Sequence, residues 1–459
     1  MFKFTARLNR EFDSKTDVIK IDLQYGARPS QLNGTRIIVE EKTDQTGWYL
    51  TIDKIIEKRV TCSIHPPANA LVGRYKCSIY LETGNDRAVD EEPDIIVLCN
   101  PWCPEDDVYL PSPAECNEYV LNDSGYIWQG TSKKSDPLAW DFGQFEDKIL
   151  DTALYLIMND RRIQKGLAKR GLGKLNDPLW LSRIISAGAN SHDDAGVVAG
   201  NWSGDFTGGT APVTWNGSVK IIQQFADTKQ PVKFGQCWVY SGVTTTLLRA
   251  LGIPARSVTN FSSAHDQDNT MTIDKYIHHN TNENLGGRDS IWNFHVWNEV
   301  WLKGAGHWEE KYAGWAAIDA TPQEESNGLM QLGPAPVKAI KEGEIFVGYD
   351  GGFVFGEVNA DHITWLCKQE SNMIVVQSMG RRIKGAVGFN ISTKAVGSNE
   401  RHVLTHDYKY PEGSKDERRA WDTAFQQCNP ADYFTQFLDH DEAQIKTGKI
   451  VYSVVNLYN

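Results

Sequence analysis

The chain has 459 residues, enough for two or three domains, and its composition is that of a globular protein, with 41% hydrophobic and 23% charged residues. The formal net charge is −12, from 47 basic and 59 acidic side chains. This balance argues against nonspecific nucleic-acid binding, which requires a basic surface, and is compatible with cation binding. Eight cysteines are too few for a disulfide-rich scaffold.

Local patterns disfavour two further classes, zinc proteins and membrane proteins. Cys99 and Cys103 are separated by three residues, but neither a second cysteine pair nor a His-x-His spacing follows them, which disfavours a zinc site. Segment 1–13 carries scattered charges without an apolar centre, so no signal peptide is expected. The longest aliphatic runs are too short to span a bilayer. The predicted location is cytoplasmic, with export without a signal peptide as the alternative.

The first 110 residues have the pattern of β-structure. Apolar and polar residues alternate in 18–23, 48–52 and 74–81, and turn-forming clusters separate these segments. Short strands at this spacing predict an antiparallel, immunoglobulin-like β-sandwich. A proline-rich, acidic stretch follows it, and residues 111–135 are predicted to form the connector to the next domain.

Residues 136–459 have the pattern of an α+β domain. Apolar residues recur at helical spacing in 145–160, 219–226 and 238–251. Aromatic, strand-like segments follow from Ile291. The sequence therefore predicts a multidomain protein, with a β-sandwich followed by a larger α+β core.

The stretch KFGQCWVY places Cys237 at the start of a predicted helix. The apolar residues after it fall on or near one helical stripe, and Gly252 and Pro254 end the helix. A thiol at a helix N-terminus meets the positive end of the helix dipole, which favours the thiolate. From this stretch alone, Cys237 is a candidate nucleophile, with a small buried packing residue as the alternative.

A candidate base lies in SIWNFHVWNEVWL (Ser290–Leu302). Read as a strand, this segment has one strongly apolar face, and His295 lies on the other face. A histidine among these aromatic side chains is suited to act as a general base shielded from bulk water. A structural histidine with satisfied hydrogen bonds is the alternative from this segment alone.

A candidate orienting carboxylate, Asp319, ends the apolar strand in GWAAIDATPQE (Gly314–Glu324). If this strand and the histidine strand form a hairpin centred on His307, His295 lies directly opposite Asp319, with Cβ atoms about 5 Å apart. An imidazole held by a carboxylate keeps the tautomer that a thiol partner requires, which is the Cys-His-Asp/Asn arrangement of papain-like enzymes.

Several motifs together resemble the animal transglutaminase family, in particular its epidermal and fibrin-stabilising types. The matching segments are GQCWV (235–239), TNFSSAHDQD (259–268), WNFHVWNE (292–299), DATPQE (319–324), EVNAD (357–361), ISTKAVGSN (391–399) and KYPEGS (409–414). The resemblance implies a papain-like transglutaminase catalytic core after the sandwich. It also implies a calcium-dependent protein-glutamine γ-glutamyltransferase. Relatives carry two β-barrels after the core, whereas only a short tail follows KYPEGS, so these barrels are not expected here.

The resemblance implies the catalytic residues Cys237, His295 and Asp319. Cys237 would attack a protein-bound glutamine and release ammonia, and a lysine ε-amine or a polyamine would then take the acyl group to form an isopeptide bond. Trp202 matches a tryptophan that stabilises the oxyanion, and Trp292 matches the second wall of the tunnel through which lysine enters. The implied partners are proteins that bear glutamine and lysine, and polyamines.

Calcium ions are the implied cofactor. From the residues alone, alternating oxygen-bearing side chains from 266 to 272 suit calcium or a solvated acidic loop. The resemblance implies three sites. Their ligands would be Asp266, Asp268, Thr270, Thr272 and Asp289 at the first, Ala187, Asn190, His192 and Asp194 at the second, and Asn359, Lys384, Glu412 and Glu417 at the third.

Two alternative functions are compatible with the same fold. A cysteine hydrolase, such as a deamidase, would use water in place of the amine, but the predicted tunnel between Trp202 and Trp292 favours an alkylamine. A catalytically weak scaffold would lack the nucleophile. The presence of Cys237, His295 and Asp319 argues against that alternative.

Overall fold

The chain folds into an N-terminal β-sandwich followed by a larger region of helices and sheets. The computed structural model describes residues 1–42, 46–168, 174–304, 308–370, 373–428 and 450–453. Within these ranges, no helix is long and apolar enough to cross a bilayer. The predicted fold class, a sandwich followed by an α+β core, is confirmed.

The sandwich consists of two antiparallel sheets. Its strands are β1 (Phe2–Arg7), β2 (Asp17–Tyr25), β3 (Arg36–Val39), β4 (Tyr49–Ile56), β5 (Arg59–His65), β6 (Gly73–Thr83) and β7 (Asp86–Val97). The sheet orders are β1-β5-β4 and β3-β2-β6-β7. Because side chains alternate along a strand, each sheet presents one apolar face, and Ile21, Leu23 and Leu50 are fully buried in a shared core.

Helices and strands are interspersed along the larger region. Its helices are α1 (Pro113–Cys116), α2 (Ile149–Asn159), α3 (Arg161–Ala168), α4 (Pro178–Ala189), α5 (Val219–Thr228), α6 (Cys237–Ala250), α7 (Val337–Glu342), α8 (Gly351–Asn359), α9 (Thr405–Tyr408) and α10 (Lys415–Cys428). The first strands are β8 (Ser124–Gly130), β9 (Ser135–Asp141), β10 (Val198–Gly200), β11 (Val232–Gly235), β12 (Ala255–His265), β13 (Thr272–His278), β14 (Asn284–Gly286), β15 (Ser290–Leu302) and β16 (Gly314–Asp319). The others are β17 (Glu325–Ser326), β18 (Leu329–Met330), β19 (Leu332–Pro336), β20 (Asp361–Glu370), β21 (Met373–Ile383), β22 (Phe389–Lys394), β23 (Arg401–Val403) and β24 (Ile450–Ser453). The helices predicted in 145–160, 219–226 and 238–251 are confirmed as α2, α5 and α6, with small differences at their ends.

Two sheets organise this region. The first has six antiparallel strands in the order β19-β16-β15-β12-β22-β23, and the second has the order β14-β13-β20-β21-β24, with β13 and β20 parallel. Helix α6 packs against β12 and β15. All 14 residues of α6 are buried, as expected for a helix enclosed on every side rather than packed by a single stripe. The helix that begins at Cys237 is therefore the central helix of the core.

The sandwich contacts the C-terminal end of α6. The backbone N–H of Cys99 donates to the carbonyl of Leu251 at 3.0 Å. Gly252 follows with φ +81°, and a Cβ there would lie 2.1 Å from the Cys99 carbonyl oxygen, so only glycine fits. The residue predicted to end the helix therefore also allows the close approach of the segment that leaves the sandwich.

Candidate active site

Cys237 lies at the junction of a short strand and the central helix. Strand β11 pairs in parallel with β10, and Gln236 adopts an extended conformation before α6 begins at Cys237. A Cβ on Gly235 would lie 2.4 Å from a methyl group of Val198, so glycine allows the two strands to approach here. The Cys237 side chain is 3% exposed. The predicted position of this thiol, at the N-terminus of a helix, is confirmed.

His295 and Asp319 form a buried pair beside this cysteine. His295 Nε2 lies 2.6 Å from Asp319 Oδ2, and each residue is 1% exposed. An ionised carboxylate only accepts hydrogen bonds, so Nε2 carries the proton. Nδ1 has no hydrogen-bond partner among the described residues, and the Cys237 side chain interacts with the same imidazole. Nδ1 is therefore the nitrogen available to the thiol.

The predicted register of the two strands was wrong by two residues. Asn298 pairs with Ile318, so Asp319 comes opposite Trp297 in this register rather than opposite His295. The prediction assumed a connection centred on His307, and the observed pairing is centred one residue later. His307 itself lies outside the described residues. The side chains still meet because diagonal neighbours on one face of a sheet are within reach of long side chains.

The imidazole carries an unusually stable positive charge. Burial lowers the pKa of His295, but the charge and hydrogen bond of Asp319 outweigh burial, and the Cys237 side chain and Glu357 add to their effect. The pKa of His295 is therefore raised well above its ordinary value. An imidazolium next to a thiol favours the thiolate, so the arrangement suits a cysteine nucleophile.

Sequence reasoning missed two polar residues of this site. Glu357, on α8, is 2% exposed, and its Oε1 lies 3.7 Å from His295 Nε2. Gln323 Nε2 lies 3.0 Å from Asp319 Oδ2 and 3.3 Å from Glu357 Oε1. Burial raises the pKa of Glu357 to about 8, because the nearby imidazolium compensates it only in part. Glu357 and Gln323 lie in EVNAD and DATPQE, two of the segments that resemble the family, but nothing in the sequence indicates their contact with His295.

The two tryptophans predicted to line a tunnel lie together at the site. The rings of Trp202 and Trp292 meet edge to face with centroids 6.3 Å apart, and Trp292 lies 5.2 Å from the imidazole of His295. Trp202 is 45% exposed and stacks on Tyr240, one turn along α6 from Cys237. Two indoles thus form an apolar wall between solvent and the imidazole.

The first predicted calcium site brings its carboxylates together. Ligand atoms of Asp266, Asp268 and Asp289 lie within 4.8 Å of one another. Their hydrogen-bond donors include backbone N–H groups and the hydroxyl of Thr270, which lies 3.0 Å from both Asp268 Oδ1 and the hydroxyl of Thr272. Burial and the neighbouring Asp268 raise the pKa of Asp266 to about 8. Crowded oxygen ligands of this kind fit a calcium ion.

The second predicted site lies at the end of α4 and in the loop that follows. Its first residue, Ala187, is on the last turn of that helix. Asn190 is fully buried and donates from Nδ2 to the carbonyl of Met330, while its Oδ1 accepts from the backbone N–H of His192. Burial and the adjacent Asp193 raise the pKa of Asp194 to about 6, and Asp194 Oδ1 has no hydrogen-bond partner among the described residues. A buried carboxylate oxygen without a donor fits a cation ligand.

The third predicted site is already occupied by basic side chains. Glu417 accepts from Arg418 Nε at 2.5 Å, and Glu412 pairs with Lys409. Gly385, the neighbour of Lys384, lies against the Glu412 carboxylate. Asn359 is buried, and its Nδ2 has no hydrogen-bond partner in the described part of the chain. Because both carboxylates are neutralised by basic side chains, this group fits a calcium ion less well than the other two.

Comparison with known proteins supports one family. A model of the transglutaminase family matches residues 1–82, and a model of the transglutaminase-like superfamily matches residues 206–320. The chain is 42% identical over 410 residues to human protein-glutamine gamma-glutamyltransferase 4, covering 89% of this chain and 58% of that protein. It is 41% identical over 443 residues to annulin of Schistocerca americana, covering 93% of this chain and 55% of that protein.

A solved structure gives the same result. The crystal structure of red sea bream transglutaminase superposes with a TM-score of 0.80 at 37% identity, covering 92% of this chain and 63% of that chain. The chain thus spans less than two thirds of the length of these relatives. The similarity includes both the sandwich and the region that holds Cys237, His295 and Asp319. In sequence and in fold, the chain therefore matches the transglutaminase family over both the sandwich and the region that holds this site.

Proposed function

We propose that this chain is a calcium-dependent protein-glutamine γ-glutamyltransferase that cross-links proteins. The observation that carries the proposal is the buried His295–Asp319 pair at 2.6 Å, with Cys237 beside it at the start of α6. Two of the relatives described above carry the name or title of this activity or family.

The first half of the reaction forms a thioester. The Cys237 thiolate attacks the carbon of the glutamine side-chain amide, and its backbone N–H and the indole N–H of Trp202 are the proposed donors to the oxyanion. His295, protonated because Asp319 raises its pKa, gives its proton to the amide nitrogen. The carbon–nitrogen bond breaks, ammonia leaves, and the acyl group remains on sulfur.

The second half transfers the acyl group to an amine. A lysine ε-amine or a polyamine approaches between Trp202 and Trp292, whose apolar faces suit an alkyl chain better than water. His295, now neutral, removes a proton from the amine as the nitrogen attacks the thioester carbon. An isopeptide bond forms, the carbon–sulfur bond breaks, and the Cys237 thiolate is regenerated.

Calcium would be held by the Asp266–Asp268–Asp289 group and by the loop at Asn190–Asp194. When bound, the ion would neutralise repulsion among the carboxylates. The loop after β12 follows directly after a residue near the Trp202–Trp292 wall. His265, the last residue of β12, has its ring 6.4 Å from that of Trp292 and its Nε2 3.0 Å from Glu324 Oε1. We propose that ordering of this loop controls access to the site.

Measurement of two products separates this function from the hydrolase alternative. Incubation with casein, calcium and a labelled alkylamine is expected to give incorporated label with an equivalent release of ammonia. In a hydrolase, ammonia release would proceed without incorporation. A scaffold protein would give neither product.

A further inference from the structure

Gln323 lies at the centre of the polar groups behind the catalytic cysteine. Its Nε2 is 3.0 Å from Asp319 Oδ2, 3.0 Å from His295 Nε2 and 3.3 Å from Glu357 Oε1. Since His295 Nε2 already donates its one proton to Asp319, it has no lone pair in that direction and is not an acceptor for the amide. The two N–H groups of Gln323 are therefore directed at the two carboxyl groups.

The bridge matters because two buried carboxyl groups compete for one imidazole. Asp319 Oδ2 lies 2.6 Å and Glu357 Oε1 lies 3.7 Å from the same His295 nitrogen. Two carboxyl groups this close to one imidazole, with no donor between them, would repel each other or share a proton. Either outcome would draw the imidazole away from Asp319. Gln323 supplies a donor to each carboxyl group and holds them apart.

We infer that Gln323 is a positioning residue, whose amide bridges Asp319 and Glu357 and so keeps the His295 imidazole on Asp319 with Nδ1 facing Cys237. The expected effect on turnover rests on the proposed function. The positioning of His295 toward Cys237 does not depend on it. The titratable groups that face the His295 imidazole in the described residues are Cys237, Asp319 and Glu357, from α6, β16 and α8 respectively.

The test uses Gln323→Met, which keeps the length of the side chain and removes both donors. We expect kcat for amine incorporation to fall by about 10- to 100-fold, the range of a lost hydrogen bond to a charged group, with KM for the glutamine substrate unchanged. We also expect the pH profile of Cys237 alkylation by iodoacetamide to change. The charge and hydrogen bond of Asp319 raise the pKa of His295, so an imidazole drawn off Asp319 has a lower pKa, and the step due to His295 should move to lower pH.

Two variants keep the test decisive. Gln331→Met is the matched control, because Gln331 is 3% exposed and donates to the carbonyl of Ser326 at 2.8 Å, away from the bridge. It should lower Tm without moving the alkylation profile. If Gln323→Met does not fold, Gln323→Glu keeps the shape and replaces a donor with an acceptor, and it should lower kcat as well.

Three outcomes bear on the inference. Wild-type kcat and an unchanged alkylation profile in the folded Gln323 variants would overturn it. An equal change in Gln331→Met would also overturn it, because the effect would then be one of packing. Alkylation requires no acyl transfer, so a changed profile in a chain that incorporates no amine would support the bridge while contradicting the proposed function.

Discussion

At the scale of single residues, Asp319 contacts the imidazole of His295 and, in the proposed mechanism, acts on the substrate only through it. Its Oδ2 holds the proton-bearing Nε2, and Oδ1 accepts from the backbone N–H of Thr321 at 2.8 Å, so the carboxylate is fixed from both sides. In the proposed mechanism His295 itself transfers protons, whereas Asp319 sets the orientation of the imidazole and raises its pKa. Substitutions at the two positions should therefore differ in kind.

The variants His295→Ala and Asp319→Asn test this difference. His295→Ala should abolish amine incorporation, while Asp319→Asn should retain residual activity. Because Asp319 raises the pKa of His295, its neutral replacement lowers that pKa, and the imidazolium that protonates ammonia is then lost at a lower pH. The alkaline limb of the kcat profile of Asp319→Asn should accordingly move to lower pH. Equal losses in both variants, or an unmoved limb, would contradict the roles given to them.

The orientation of Trp202 depends on a glycine. A Cβ on Gly200 would lie 2.5 Å from the Trp202 ring and 2.7 Å from the Tyr240 hydroxyl, too close for any side chain without displacing them. Gly200→Ala should therefore displace the indole N–H and lower kcat toward the value of Trp202→Phe, which removes the donor and should cost about 10²–10³-fold. Steady-state kinetics with Tm as the folding control measure this. A Gly200→Ala enzyme with wild-type kcat would show that the indole need not stay in place.

At the scale of elements, the sequence predicts helices and strands within one segment well, but it predicts the contacts between segments less well. The helix after Cys237 follows from apolar spacing and from Gly252. The strand that carries His295 follows from its apolar face. The register between β15 and β16, which carry His295 and Asp319, depends on the length of the connection between them, and no periodicity specifies that length. Gln323 and Glu357 come from a loop and a separate helix, and only the tertiary fold brings them beside His295.

The acidic loop between β12 and β13 is the element on which calcium control should depend. Asp268 lies in this loop, and Asp289, just before β15, lies against it. Asp268→Ala combined with Asp289→Ala removes two of the three crowded carboxylates and leaves Cys237 untouched. The calcium concentration for half-maximal amine incorporation should rise, or activation should be lost. The matched control is Asp90→Ala with Glu91→Ala, which removes the same charge from an exposed stretch of β7.

Calcium titration of both double variants shows whether this acidic group binds the activating ion. The β7 control should titrate as the wild type does. If the loop variant also activates at the wild-type calcium concentration, the loop is a solvated acidic surface, and the activating ion is bound elsewhere.

At the scale of the whole molecule, the central helix α6 links the candidate active site to the segment that leaves the sandwich. The N-terminal end of α6 presents Cys237 to His295, and its C-terminal end meets the segment that leaves the sandwich at Cys99. One continuous apolar cluster contains Tyr75 of the sandwich as well as Leu247 of the helix. Cys237 is thus held on a helix that is fixed at both ends, which suits its proposed role as nucleophile because that chemistry requires close alignment.

The central claim is that Cys237 carries the acyl group, and a labelled alkylamine tests it most directly. Wild type, Cys237→Ala and the matched control Cys116→Ala, a buried cysteine outside the site, are incubated with casein and calcium, and wild type also with a chelator. We expect incorporation by wild type and Cys116→Ala in calcium, and none by Cys237→Ala or with the chelator. Incorporation by folded Cys237→Ala, or its absence from wild type in calcium, would contradict it.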